Sequence, residues 1–204
     1  MPVEKKGQSA RLSVVCLENQ LLIAMPALGD PYFNKSVTYI CEHNAEGAMG
    51  LIINLPINIT LSELLKQIET DDSSGSHASN RNNSLEQLVL SGGPLAQQRG
   101  FVLHSSQQGW DSSLALSDDI MITTSKDILL ALGTDKAPEQ FMVTLGYAGW
   151  EAGQLEQELQ DNSWLTIPAD SDIIFNTPIE QRWKKAAASL GIDLAHLSSD
   201  IGHA

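Results

Sequence analysis

The chain of 204 residues is 42% hydrophobic and 18% charged, enough apolar material for one well-formed core. Its 12 Lys and Arg stand against 25 Asp and Glu, a formal charge of −13 that repels a phosphate backbone and speaks against direct nucleic-acid binding. The longest apolar run, LLIAMPAL from Leu21 to Leu28, is broken by Pro26 and falls far short of the roughly 20 residues of a bilayer span, and MPVEKKGQSARLS lacks the apolar centre of a secretory leader, so no membrane contact and a cytoplasmic setting are expected.

Residues 1–20 read as a flexible N-terminal extension in front of a single domain over residues 21–204, because the first twelve are polar and show no periodicity. VTYICEH from Val37 to His43 and AMGLIIN from Ala48 to Asn54 are rich in apolar and β-branched residues, with turn residues between them, so a hairpin is expected. Pro56 ends its second strand. Thr60 and Glu63 then make a T-x-x-E capping box ahead of Leu61, Leu64, Leu65 and Ile68, the stripe of a short amphipathic helix. Residues 71–84, DDSSGSHASNRNNS, have nothing to bury and read as a mobile internal loop. LVL from Leu88, GFVLH from Gly100 to His104 and DIMIT read as strands, with SGGP turning the chain at Ser91 to Pro94. A helix is expected to start near Thr124 or Ser125 and to close at Gly133. FMVTLG follows as a strand, LEQELQ as a helix with Leu155 and Leu159 inward, and WLTIP as a strand. Thr177, Pro178 and Glu180 have the form of a second capping box, opening a helix that runs to Leu190 and stops at Gly191. Interleaved strands and short helices give an α/β or α+β class with a mixed sheet.

The candidate chemistry is sparse. Alternation along a strand puts Tyr39, Cys41 and His43 on one face, and a Cys with a His beside it is a nucleophile with its base. Side chains two apart on a strand stand roughly 7 Å from each other, too far for that hydrogen bond, so Cys41 reads as a packing residue. With Cys16 the only other cysteine, both thiols are expected to be free. Neither a CxxC nor an HxxxH is present to complete a zinc set around Cys41 and His43. LGYAGWEAGQLEQEL carries glycines at 146, 149 and 153, but the spacing matches neither GxGxxG nor GxxxxGK[ST], and close packing around Tyr147 and Trp150 is the plainer use of them. Arg182, Lys184 and Lys185 read as a solvated helix face.

LLIAMPALGDPYFNKSVTYICEHNAEGAMGLIIN, SGGPLAQQRGFVLH, TTSKDILLALG, LGYAGWEAGQLEQELQDNSWLTIPAD and IFNTPIEQRW with SLGID, taken together and in this order, resemble the YqgE/AlgH family of bacterial proteins over Leu21 to Asp193. The resemblance implies a mixed, bifurcated sheet curled into a pseudo-barrel with helices around it. It implies no enzyme activity, metal or cofactor. The family is catalogued with transcriptional regulators through its AlgH branch, linked to control of alginate synthesis. Where relatives carry an asparagine, a basic residue and a proline after the hairpin, this chain has Asn54, Leu55 and Pro56, which removes a positive charge from that edge. The reading that follows is a non-enzymatic regulatory module for a small ligand or a protein partner. Its binding groups are expected on the motif turns, at Asp30, Phe33, Ser36, His43, Asn44, Gly92, Gly93, Arg99, Tyr147 and Trp150. The alternatives are a transcriptional regulator acting directly or indirectly on DNA, and an enzyme using Cys41 and His43.

Overall fold

The structure is a computed structural model that describes residues 16–71 and 83–192. In chain order the strands are β1 (Gln20–Ala24), β2 (Val37–Asn44), β3 (Gly47–Ile52), β4 (Pro56–Thr60), β5 (Leu88–Ser91), β6 (Leu95–Ser105), β7 (Ser113–Ala115), β8 (Ile120–Thr123), β9 (Phe141–Glu151) and β10 (Trp164–Pro168). The helices are α1 (Leu61–Asp71), α2 (Lys126–Ala131), α3 (Gln154–Gln160) and α4 (Arg182–Ala188), with a single π-helical turn at Asp172–Asn176.

All ten strands join one sheet: eight follow the order β10-β1-β2-β3-β9-β6-β8-β7, and the pair β4-β5 branches off at β9, where the sheet forks. One edge of β9 carries β6. The other edge carries β5 in parallel at Thr144 and Leu145, and then β3 antiparallel from Ala148 to Glu151. A sheet whose strands each twist in the same hand curls as strands are added, and here it closes to a half-barrel. The expected mixed α/β class with a curled, bifurcated sheet is therefore the one observed.

Burial shows which face is concave. One apolar cluster draws Leu21, Val37, Leu51, Leu90, Leu103, Ile122, Met142 and Ile167 from eight different strands, together with Ile174, Trp183 and Ala186 from the π turn and α4. Only an inner face can gather side chains from both ends of a sheet, so α4 lies in the concavity. Two local clusters cover the outer face: Leu22, Ile40, Trp150 and Trp164 under α3, and Leu61, Val89, Val102 and Ile128 under α1 and α2.

Several sequence expectations need correction. Pro56 opens β4 instead of merely ending β3; proline is tolerated there because the first residue of a strand need not donate to the ladder. β6 begins at Leu95 and not at Gly100, because its first half is exposed and so reads as polar turn sequence. β9 runs through Gly146 and Gly149 to Glu151, with Gly146 at φ +76° forming the irregular point that lets one strand serve two partners. The second capping box does not form: the Thr177 hydroxyl donates to the Asp172 carbonyl, and a 3₁₀ turn at Ile179–Gln181 precedes α4. Of the extension expected over residues 1–20, the first fifteen lie outside the described residues, whereas Leu17 is buried and Gln20 opens β1. The loop expected over residues 71–84 lies almost wholly outside the described residues.

Candidate functional site

The motif turns converge on the fork, but on backbone and not on a cavity. Gly92 sits between two strands, donating its N–H to the Leu145 carbonyl at 2.8 Å and accepting from the Ile52 N–H at 2.8 Å. A Cβ on Gly92 would stand 2.2 Å from the Gly146 oxygen, and one on Gly93 would stand 2.0 Å from the Tyr147 carbonyl carbon. Only glycine permits that approach. Beside this crossing Tyr32 and Ser91 share a hydroxyl hydrogen bond, while Asn54 accepts from the Val37 N–H at 2.7 Å and donates to the Lys35 carbonyl at 2.8 Å. Those two bonds fix the loop that leads into β2.

The other nominated residues separate into distinct tasks. The Asp30 carboxylate caps its own turn by accepting from the Tyr32 N–H, and Asn44 does the same for Glu46 in the β2–β3 hairpin. Phe33 packs edge-on against Trp164, which meets Trp150 edge-on in turn. Both indoles donate to the same Glu158 oxygen, at 2.9 and 2.8 Å, a hub that motif reading missed because Glu158 reads as a surface helix residue. Arg99 lies over the Phe101 ring, which contacts Tyr147 edge-on. The Ser36 hydroxyl is buried and has no hydrogen-bond partner among the described residues.

Cys41 and His43 do not share a face. The β2–β3 register shifts between Ile40 and Glu42, which makes Cys41 the extra residue of a β-bulge and cancels the period-two argument. Cys41 therefore packs in the inner cluster, 8% exposed, and burial pushes its thiol far above the ordinary range. His43 points to the outer side. Its Nδ1 accepts from the Leu17 N–H at 3.1 Å, which places the proton of the neutral ring on Nε2, 2.9 Å from a Glu156 oxygen. A second buried histidine, His104, donates from Nδ1 to the Ser105 carbonyl and accepts at Nε2 from Thr123, and burial lowers its pKa. Both imidazoles spend both ring nitrogens on the fold.

An open cleft lies elsewhere. Where the two ends of the curled sheet approach each other, a cleft of about 650 Å³ is lined by Asp118 and Asp119 of the β7–β8 turn, Ile167 of β10, Asp170 and Ile173 before and within the π turn, and Ser189 just after α4. Asn19, Ser117, Ile120, Pro168, Ala169 and Ser171 add to its wall, and Leu190 to its rim. None of the ten nominated residues lines it, and among the described residues no Lys, Arg or His does. Among the described residues no three His, Cys, Asp or Glu side chains group closely enough to hold a metal ion, and no helix is long and apolar enough to cross a membrane.

The sequence profile of the AlgH-like family matches residues 21–195. An uncharacterised-family protein of Colwellia psychrerythraea is 72% identical, over 92% of this chain and 99% of its own. One of Pseudoalteromonas translucida is 59% identical, over 92% and 98%. Among solved structures, the solution structure of the AlgH protein from Pseudomonas aeruginosa superposes with a TM-score of 0.73 at 43% identity, over 98% of this chain and all of that one. A protein from Corynebacterium diphtheriae, at 19% identity and a TM-score of 0.67, shares the fold. The resemblance carried by the motif turns thus extends to almost the whole chain, and the protein belongs to the AlgH-like family.

Proposed function

We propose that the protein is a non-catalytic binding module whose ligand occupies the cleft between the two ends of the sheet. The observation that carries this reading is the lining. A space of about 650 Å³ has a floor of Ile120, Ile167 and Ile173, walls of serine hydroxyls, and the carboxylates of Asp118, Asp119 and Asp170, with no basic residue in the lining among the described residues. Its size falls within the ordinary range of small-molecule sites. Its chemistry suits a ligand with an apolar body and a protonated amine. The non-catalytic reading rests on the serines of the cleft having no histidine beside them among the described residues, and on the bulge that parts Cys41 from His43. Any regulatory action would then pass through ligand occupancy or a protein contact, in the cytosol where both free cysteines are at home. Direct action on DNA is favoured by no observation, since a charge of −13 opposes it.

Calorimetric titration of the full chain with putrescine, spermidine and tryptamine tests the reading. Saturable binding of an amine is expected, with none of its neutral alcohol analogue, and with loss of binding when Asp119→Asn and Asp170→Asn are combined. Equal binding of the alcohol, or binding that survives both substitutions, overturns it.

A further inference from the structure

Asp118, Asp119 and Asp170 line the cleft, and no basic residue stands in its lining among the described residues. Two of the three cations of α4, the helix that ends just before Ser189, are committed elsewhere. Arg182, read from the sequence as part of a solvated helix face, is instead 6% exposed, and donates from Nε to the Thr177 carbonyl at 3.0 Å and from Nη1 to the Ile53 carbonyl. Lys185 is paired with Asp172. Like charges around one opening repel, and a partner of opposite sign relieves that repulsion.

Such a partner is attached to the wall of the cleft. Asn19 belongs to the lining, and its carbonyl accepts at 3.0 Å from the N–H of Ala169, another lining residue. The chain turns at Glu18 and Asn19, where Asn19 takes φ +57°. Toward its start it continues through Leu17, buried on the outer side, to the exposed Cys16. Before Cys16 stands MPVEKKGQSARLSVV, outside the described residues, which carries Lys5, Lys6 and Arg11 against Glu4 alone on a chain of charge −13. The span is sufficient. An extended chain covers about 3.3 to 3.6 Å per residue, so the five residues from Arg11 to Cys16 reach about 17 Å, whereas three links of about 3.8 Å put Asn19 no more than about 11 Å from Cys16. The residues after Ile192 also follow closely on the lining residues Ser189 and Leu190, but their formal charges are those of Asp193 and Asp200, which the cleft repels.

We infer that the chain regulates its own cleft: the basic segment around Lys5, Lys6 and Arg11 docks along the three carboxylates and competes with a cationic ligand for them. This rests on the cleft being a site for cations, as proposed above, and gives it a second, tethered occupant. Exposed ion pairs are weak one by one, so the contact adds little to the stability of the fold. Tethering compensates, because a segment on a short linker is present at an effective concentration of about millimolar. A ligand that binds more tightly displaces it, and salt loosens it.

Amide NMR spectra of the full chain, wild type against Lys5→Gln, Lys6→Gln, Arg11→Gln, test the contact with no ligand added. Differences are expected at Ser117, Asp119, Ser171 and Ser189, and raised salt should close most of them. Spermidine titration of both proteins follows. The variant should bind about threefold more tightly or better, since its tethered competitor is gone. Lys66→Gln, Arg99→Gln, which removes exposed positive charge outside the cleft lining, should bind as the wild type does. Cleft signals that are the same in wild type and variant, differences confined to the β2–β3 hairpin and α3, or a gain in affinity that the Lys66, Arg99 variant reproduces would each overturn the inference. Equal spermidine affinity with unchanged spectra overturns it and leaves the amine reading standing. If spermidine binds neither protein, the amine reading falls and the spectra decide: differences at the cleft support the docked segment, and their absence overturns it.

Discussion

The crossing at Gly92 and Gly93 and the cleft at the ends of the sheet are opposite uses of the same fold. At the crossing, backbone meets backbone so closely that a single added carbon has no room. At the cleft, side chains from five separate stretches face a space that none of them fills. The recurring motif turns therefore report on assembly: they are the places where the fork in the sheet is closed. Under the proposed reading, recognition chemistry falls to the cleft, whose lining takes Ile167, Asp170 and Ser189 from the family segments but none of the ten nominated residues.

The sharpest way to break this comparison is at the crossing. Gly93→Ala places its Cβ on the Tyr147 carbonyl carbon, a contact with backbone that no rotamer change relieves. Destabilisation of about 3 kcal/mol or more is expected, at the upper end of overpacking costs, read as a shift of the urea midpoint at unchanged slope. A loss under about 1 kcal/mol would mean that the fork closes without needing the glycine.

The aromatic hub comes next. Glu158→Ala leaves the indole N–H groups of Trp150 and Trp164 without their shared acceptor, and both rings are buried. Unpaired buried donors cost about 1 to 3 kcal/mol each, so a total near 2 kcal/mol is expected after partial hydration at the half-exposed Glu158. Glu158→Gln keeps an acceptor oxygen and should recover a large part of it. Near-ultraviolet circular dichroism with urea unfolding follows both.

Much of this architecture was legible in the sequence, and what was missed has physical causes. The Thr60 and Glu63 capping box forms as read, with the Thr60 N–H to Glu63 at 2.8 Å and the Glu63 N–H to the Thr60 hydroxyl at 3.2 Å. Gly133 closes α2 at φ +84°, as expected of a glycine after a helix. The β2–β3 hairpin and β10 follow from their β-branched runs. The faces of β2 beyond Ile40 did not, because alternation assumes an unbroken ladder and a bulge has no dependable mark in composition. The cleft was invisible for another reason. Its lining stretches from Asn19 to Leu190 and is assembled only when the sheet curls, so no local pattern contains it.

The bulge makes a smaller and more specific prediction. With Cys41 inside and His43 outside, Cys41→Ala should cost on the order of 1 kcal/mol through lost packing. Alkylation of Cys41 should be slow at neutral pH and should accelerate only as pH rises beyond the usual thiol range, because burial disfavours the thiolate. His43→Ala should leave that profile in place. It removes the partner of Glu156 and the acceptor of the Leu17 N–H, so its effect should appear in stability instead. Rapid neutral alkylation that depends on His43 would restore the catalytic reading.

The smallest expected effect belongs to the cleft. Asp118 and Asp119 are exposed, and neither carboxylate accepts a hydrogen bond among the described residues; the bonds nearby run from the backbone N–H groups of Asp119 and Ile120 to the Ser117 hydroxyl. With Asp170 they place like charges around one opening. Repulsion between exposed charges is screened over about 8 to 10 Å at ordinary ionic strength, so relieving it adds little. The combined Asp118→Asn, Asp119→Asn variant should therefore match the wild-type stability to within about 0.5 kcal/mol, with any change in the stabilising direction and larger at low salt. That sign matters more than the size. If these carboxylates served the fold, neutralising them would weaken it, as neutralising Glu158 should. A neutral or slightly stabilising result would mark residues kept at a cost to the fold, which is the pattern of a site that uses its charge on something outside the chain.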